Sequence, residues 1–239
     1  MIAVVGEDPY WEDRDRIAES ERSPIPDAGP ASALFEGHVT TESDAAIAQA
    51  KVCLYPKGPC VMSDASGAFS LSVPPHDEIA ISISAVGFGG RLVAITTTGA
   101  DEHGWRFVLL PDAMLRARYA ALGNAYPEPS LGVVFATAAA PKGSPVGIEG
   151  VTMKISPSSG RGPLFFAPNS DPDPQRKTTS TFSSGLFAGV QPGEVTLTFG
   201  PQSVTCLPVS GGWPSPLPNS VRVAVAAGYE ARVTMRCHR

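Results

Sequence analysis

The sequence predicts an all-β protein made of two tandem sandwich domains of about seven strands each, preceded by an extended N-terminal tail. Three observations support this prediction: a strand-and-turn pattern occurs twice, Gly and Pro number 24 each in 239 residues, and only 17% of residues are charged against 43% hydrophobic. Frequent turns between short apolar runs favour a sandwich or barrel over a helical fold. An internal repeat of this length indicates that each copy is one folded unit.

The two copies align through their glycines and the strands that follow them. The first copy contains Gly37, Val39, Ala50, Val52, a turn at 63–69 and the alternating strand 79–83. The second contains Gly132, Val134, Val151, a turn at 180–187 and the strand 195–199, so that Gly185 and Phe187 match Gly67 and Phe69. We therefore assign residues 35–111 to the first domain and 131–239 to the second.

The segments outside these two domains have different characters. Residues 112–130 form a linker in which 113–122 could form a short helix that ends at Gly123 or Asn124. Residues 1–34 contain eight acidic and three basic residues, which accounts for the whole net charge of −5. They are expected to be an extended acidic tail, in which Tyr10 and Trp11 either dock on a partner or pack against the first domain.

Each domain contains two of the four cysteines, Cys53 and Cys60 in the first and Cys206 and Cys237 in the second. Four cysteines allow three pairings, of which one pair per domain is the simplest. The residues between Cys53 and Cys60 include Pro56, Gly58 and Pro59, which suit a chain reversal that brings the two thiols together. The alternatives are free buried thiols or a metal site, although neither the cysteine spacing nor a neighbouring histidine matches a metal motif. Disulfides would indicate an oxidising compartment.

No residue pattern predicts catalysis, a cofactor or a metal. The four histidines are far apart in sequence, and neither a Gly-x-Ser-x-Gly elbow nor a phosphate-binding loop occurs. Asn169, Asp171 and Asp173 offer oxygen atoms, but the rest of a calcium-loop pattern is missing. The absence of a basic stripe disfavours nucleic-acid binding, and no apolar run is long enough for a transmembrane helix.

The first copy resembles the carboxypeptidase regulatory-like domain, a module of the transthyretin-like (prealbumin-like), Ig-like β-sandwich group. The resemblance is carried by Gly37-x-Val39, Ala50-x-Val52, Ser63-Asp64-x-x-Gly67-x-Phe69-x-Leu71 and Ala85-Val86-Gly87-Phe88. The second copy is a divergent relative that lacks the aspartate of the turn. The resemblance implies non-catalytic accessory modules in exported or surface proteins and carries over no catalytic residue.

These observations lead to an expected function with one main alternative. We expect a non-catalytic, exported accessory or structural protein that acts through protein–protein contacts, located outside the cell, at its surface or in the periplasm, although no export signal is visible. Tyr10, Trp11 and Trp213 are the candidate partner-binding residues; Trp213 lies in a Gly- and Pro-rich loop where exposure is expected. The alternative is a carbohydrate-binding surface module that uses Trp213, and a hydrolase is a weaker third reading.

Overall fold

The computed structural model describes residues 32–141, 147–201 and 203–239, so the expected tail, with Tyr10 and Trp11, lies outside the described residues. The described part consists of seventeen strands and one helix: β1 Ala33–Thr40, β2 Lys51–Tyr55, β3 Cys60–Met62, β4 Ala68–Val73, β5 Glu78–Ser84, β6 Gly90–Thr96, β7 Glu102–Val108, α1 Asp112–Ala121, β8 Gly132–Ala139, β9 Thr152–Ser156, β10 Arg161–Phe166, β11 Pro172–Asp173, β12 Ser184–Val190, β13 Gly193–Gly200, β14 Thr205–Ser210, β15 Trp213–Pro214, β16 Ser220–Val225 and β17 Tyr229–His238. The prediction of an all-β fold is confirmed.

The first module is a sandwich of seven strands. Sheet β4-β1-β7 covers the strands β3-β2-β5-β6, and the apolar face of each contributes to one interior, in which Phe35, Leu71, Ile81 and Ile83 are fully buried. These positions follow the alternation in the sequence, because successive side chains of a strand point to opposite faces. Strand β1 begins at Ala33, two residues before the expected domain boundary.

The second module contains the seven expected strands and three more. Strands β10 and β11 lie in the long Pro-, Ser- and Gly-rich segment expected to be a loop, and β15 lies in the loop before β16. The prediction of seven strands is therefore too low for this module. Sheet β15-β16-β13-β9 covers the β12-β8-β17 strands, and Leu197, Val221 and Val233 are buried between them.

The duplication extends to single hydrogen bonds. Buried Ser63 donates its hydroxyl to the Ile47 carbonyl (2.7 Å) and accepts from the Ala50 amide (2.9 Å). Buried Thr179 donates to the Ile148 carbonyl (2.6 Å) and accepts from the Val151 amide (3.0 Å). The two hydroxyls hold the same junction of three chain segments, so Thr179 is the counterpart of Ser63.

This equivalence moves the alignment of the copies by two residues. The Val39 amide donates to the Gly67 carbonyl, whereas the Ala138 amide donates to the Ser183 carbonyl, both at 2.8 Å. Ser183, with a φ of +57°, therefore takes the place of Gly67, with a φ of +79°. The expected match of Gly67 with Gly185 is wrong. A shift of two residues keeps every side chain on its face of the sheet, so the apolar pattern alone does not reveal it.

The turn before β4 forms as its sequence predicts. One carboxylate oxygen of Asp64 accepts from the Ser66 amide (2.8 Å), the Ser66 hydroxyl (2.7 Å) and the Ala68 amide (2.9 Å). The hydrogen bonds from Ser66, with that from Ala68, hold the pKa of Asp64 below its ordinary value. Gly67 adopts positive φ beside the Val39 carbonyl, where a Cβ would stand 2.5 Å from that oxygen. The motif therefore builds the entry to β4.

The two modules share a sheet. Strand β17 pairs in parallel with β8 on one side and with β6 of the first module on the other, which produces a ten-stranded sheet through both modules. The isoleucines of β5 face the first interior, while Ala80 packs with Leu92 and Ala94 of β6 against the second. Strands β5 and β6 thus form a wall between two interiors, which stay separate. The small alanine side chains on the second face allow this close approach.

Helix α1 is part of the linker and covers the outer face of the second module. It ends at Ala121, one residue before the expected last residue 122. Beyond this end, Gly123, with a φ of +71°, donates its amide to the Ala120 carbonyl (2.9 Å). Leu115 and Tyr119 of the helix pack with Phe166 and Leu186 of the sheet. At ten residues, this helix of the described chain is too short to cross a bilayer.

Candidate functional site

Both expected disulfides form, one in each module. Cys53 and Cys60 face each other across β2 and β3, which confirms the predicted reversal between them. Cys206 and Cys237 face each other across β14 and β17. The second bond is buried in the interior of its module, and both bonds lie in the ten-stranded sheet.

Trp213 is buried between the modules, so the expectation that it is exposed is wrong. The residue is 8% exposed. Its indole Nε1 donates to the carbonyls of Ile95 (2.9 Å) and Ile79 (3.2 Å), which belong to the first module. The Arg222 guanidinium lies 5.8 Å from the centre of the ring. The carbohydrate alternative therefore loses the aromatic face on which it depended.

Two glycines place this tryptophan. Gly211 has a φ of +79°, and a Cβ there would collide with the Arg232 carbonyl. A Cβ on Gly212 would collide with the side chain of Val221. The loop can therefore lie close against β16 and β17, which directs the ring of Trp213 onto the edge of the first module.

An open cleft of about 390 Å³ lies beside Trp213, between the modules. Its apolar part includes Leu54 and Tyr55 at the end of β2 and Pro56 after it, together with Ala80 and Ala224. Its polar part includes the carboxylates of Asp77, Glu78 and Glu194. The cleft therefore presents an apolar floor with an acidic rim.

One arginine connects the acidic groups of the two modules. Arg222 lies 2.5 Å from Glu78 of the first module and 3.4 Å from Glu194 of the second. The hydrogen bond to Glu78 raises the pKa of Arg222, and the attraction of both carboxylates adds to this. Arg222 offsets one of the three carboxylates of the rim, so these four groups together keep a negative charge.

A second polar cluster is buried on the other side of the shared sheet. Glu230, at 2% exposure, lies between its strand neighbours Val133 and Arg91. Its carboxylate accepts from the Tyr119 hydroxyl and lies 2.5 Å from the Nε of Arg232. Burial, together with the negative charge of Glu230, raises the pKa of Tyr119. The hydroxyl therefore stays protonated and donates.

Arg91 brings the first module into this cluster. Burial and the repulsion of Arg232 lower the pKa of Arg91 to about 10, against the attraction of Glu230. Its Nη1 donates to the Val108 carbonyl at 3.2 Å. Arg91 comes from β6, the Glu230–Arg232 pair from β17 and the Tyr119 hydroxyl from α1, so the cluster brings together both modules and the linker helix.

Of the remaining candidate groups, His38, His103, Glu36 and Asp64 line a second open pocket, of about 600 Å³. His103 contacts Glu36 at 2.8 Å on an exposed face of sheet β4-β1-β7. The side-chain amide of Asn169 donates to Asp171 (2.7 Å), and Asp173 is in strand β11. No group of three metal-binding side chains occurs within 32–141, 147–201 and 203–239.

Trp213 lies at the junction of the two modules, and the other residues of this junction were not found by sequence reasoning. Tyr55, Glu78 and Arg222 lie far apart in the chain, and no local pattern connects them. A signal existed for the buried cluster: Glu230 and Arg232 interrupt the apolar strand β17 on the same face, and charges at such positions indicate buried partners.

No protein-family model and no curated protein matches the chain. Among solved structures, a cohesin–X-dockerin complex from Acetivibrio cellulolyticus aligns at 15% identity over 34% of this chain and 58% of that chain, with a TM-score of 0.29. The Bacillus anthracis TIE protein aligns at 9% identity over 87% and 34%, TM-score 0.28. GBS52, a minor pilin of Streptococcus agalactiae, aligns at 10% identity over 86% and 95%, TM-score 0.28.

Proposed function

We propose that this chain is a non-catalytic structural or accessory protein of an exported assembly and that it acts through protein–protein contacts. The observation that carries the proposal is the junction between the two sandwiches, each of which has its own internal disulfide. A shared sheet, Trp213 and a buried charge cluster join them there into one unit. Rigid surfaces bind partners at a lower entropic cost than surfaces that must first become ordered.

The proposal includes the class of module and the location. The turn built by Asp64 and Gly67, repeated at Thr179–Ser183, supports assignment of both modules to the carboxypeptidase regulatory-like group of transthyretin-like sandwiches. Two disulfides support an oxidising location outside the cytosol, either at the cell surface or in the periplasm.

The cleft between the modules is the proposed contact surface for the partner. Its apolar floor around Tyr55 offers area for burial, and its acidic rim, with Asp77 and Glu194, favours a segment that carries lysine or arginine. The acidic residues of the tail, with Tyr10 and Trp11, are a second proposed contact region.

The test compares two charge reversals of equal size. Tagged full-length protein is expressed in the source organism and cross-linked, and the captured proteins are quantified for wild type, Glu194→Lys and Glu42→Lys. Glu194 lies on the rim of the cleft, whereas Glu42 is exposed elsewhere on the first module. We expect one discrete partner, reduced at least severalfold by Glu194→Lys and unchanged by Glu42→Lys. Equal capture by all three proteins, or no enrichment over an unrelated sandwich protein, would refute the proposal.

The tail is tested separately by deletion of residues 1–31, which leaves β1 complete because that strand begins at Ala33. Capture of the partner should fall while the melting temperature of the described modules stays unchanged. Unchanged capture would remove the tail, with Tyr10 and Trp11, from the proposed contact.

A further inference from the structure

Each module pairs its first described strand with its last strand in parallel. In the first module, β1 from Phe35 to Thr40 pairs with β7 from Glu102 to Val108. In the second, β8 from Val133 to Ala139 pairs with β17 from Glu230 to Arg236, through seven consecutive residue pairs. Parallel strand pairs are less common in proteins than antiparallel pairs, and here a parallel pair of the first and last strands occurs in both modules.

This pairing determines how the fold responds to tension. Because β8 and β17 run in the same direction, the chain enters their ladder at one end and leaves it at the opposite end. Tension on the two chain ends of the module therefore pulls the strands past each other along their length. All hydrogen bonds of the ladder then carry the load together, whereas tension applied at one end of both strands would break them one after another.

The second disulfide reinforces the loaded end. Cys237 lies near the C-terminal end of β17 and is bonded to Cys206 of β14. Force that arrives from the C-terminus therefore reaches two strands, one through the backbone and one through the sulfur bridge. The 31-residue separation between the cysteines is also removed from the length that can extend.

We propose that the protein bears tensile load along its chain, with the β1–β7 and β8–β17 ladders as its mechanical clamps. This goes beyond the proposed function, because it concerns the response of the fold to force and needs no partner. Loss of partner binding would leave it standing, and loss of mechanical resistance would leave the partner proposal standing.

The experiment pulls single molecules of the oxidised full chain in two directions through the same ladder. In the shear geometry, handles are attached at Ser130 and at the C-terminus. In the matched unzipping geometry, they are attached at Ser130 and Ala227, which flank the point where the Gly228 amide donates to the Leu131 carbonyl (2.9 Å). The handles use chemistry that does not involve cysteine, and both labelled proteins must melt at the temperature of the unlabelled protein.

At equal loading rate, we expect the shear geometry to rupture at a force severalfold higher than the unzipping geometry, because shear loads all seven residue pairs of the β8–β17 ladder at once, whereas unzipping loads them one after another. Equal rupture forces would overturn the proposal. A second measurement needs no internal handle at 227: the force in the shear geometry is recorded at several pulling speeds. A steep dependence on speed, which reports a short distance to the transition state, is expected for shear, and a shallow dependence would also overturn the proposal.

The role of the disulfide is tested by the double variant Cys206→Ala and Cys237→Ala in the shear geometry. Since an extended chain spans at most about 3.6 Å per residue, removal of the bridge should lengthen the final extension by about 110 Å. An unchanged extension would show that the load does not pass through the bridge and would contradict this part of the proposal.

Discussion

Replacement of Trp213 by alanine should lower the free energy of unfolding by about 4 kcal/mol, within the range of about 3–5 kcal/mol for buried aromatic residues. The ring is 8% exposed and packs across the junction. A tryptophan buries about 200 Å², and at about 25 cal/mol per Å² this corresponds to an upper bound of about 5 kcal/mol.

Trp213→Phe separates packing from hydrogen bonding. It keeps most of the ring but removes the N–H that donates to Ile95 and Ile79, so we expect a loss of about 1–2 kcal/mol. Trp105→Phe is the matched control, because Trp105 is only half-buried and donates to the carboxylate of Glu102 (3.1 Å), which keeps access to water. This control should lose less than Trp213→Phe.

The assay is equilibrium unfolding in urea, followed by circular dichroism, with both disulfides intact. Wild type should unfold in a single transition, since the two interiors share strands β5 and β6, whereas Trp213→Ala should broaden or split it. A loss below about 1 kcal/mol for Trp213→Ala would refute the role of the indole as the connector of the two modules.

Three further predictions follow from the repeat and the buried cluster. Gly67→Ala should destabilise by more than about 1 kcal/mol, and Ser183→Gly should stabilise by up to about 1 kcal/mol, because both positions have positive φ; a Ser183→Gly variant that is less stable than wild type in urea unfolding would contradict their equivalence. The pKa of Asp64 is lowered on folding, so it adds stability above its unfolded pKa that is lost as pH falls through its folded pKa; Asp64→Asn should flatten the acid limb of thermal stability, and an unchanged limb would contradict this. Tyr119→Phe should cost about 2 kcal/mol in urea unfolding, because buried Glu230 loses a donor; a cost below about 0.5 kcal/mol would argue against the cluster as a joint.

The local elements were predictable because short segments carry their own signals. Alternating apolar residues predicted strands such as β4 and β5, and Asp64 with Gly67 predicted the turn between the early strands of the first module. These residues act through neighbours within a few positions, so one sequence contains the necessary information. The pairing of Cys53 with Cys60 was predictable for the same reason, because only seven positions separate the two residues.

The register of the repeat was not predictable from the same signals. The period of a strand is two, and a shift of two residues places apolar side chains on the same face. The sequence match therefore followed Gly185, whereas the hydrogen bonds follow Thr179 and Ser183. The residue with positive φ at this position is Ser183 rather than a glycine, so no glycine marks the counterpart of Gly67 in the second module.

The junction was not predictable because its contacts join distant residues. The indole of Trp213 meets carbonyls 118 and 134 positions away, and a Gly- and Pro-rich neighbourhood is as compatible with a surface loop as with a buried strand. Strands β10, β11 and β15 are also fixed by their pairing partners rather than by their own composition.

The wall formed by β5 and β6 also limits how this gene could be divided or recombined. A first module encoded alone would leave the edge of β6 unpaired and would expose Ala80, Leu92 and Ala94 to water, a combination that invites edge-to-edge aggregation. The pair of modules, rather than either one alone, is therefore the unit to keep intact, and fusion partners are best joined outside residues 33–238.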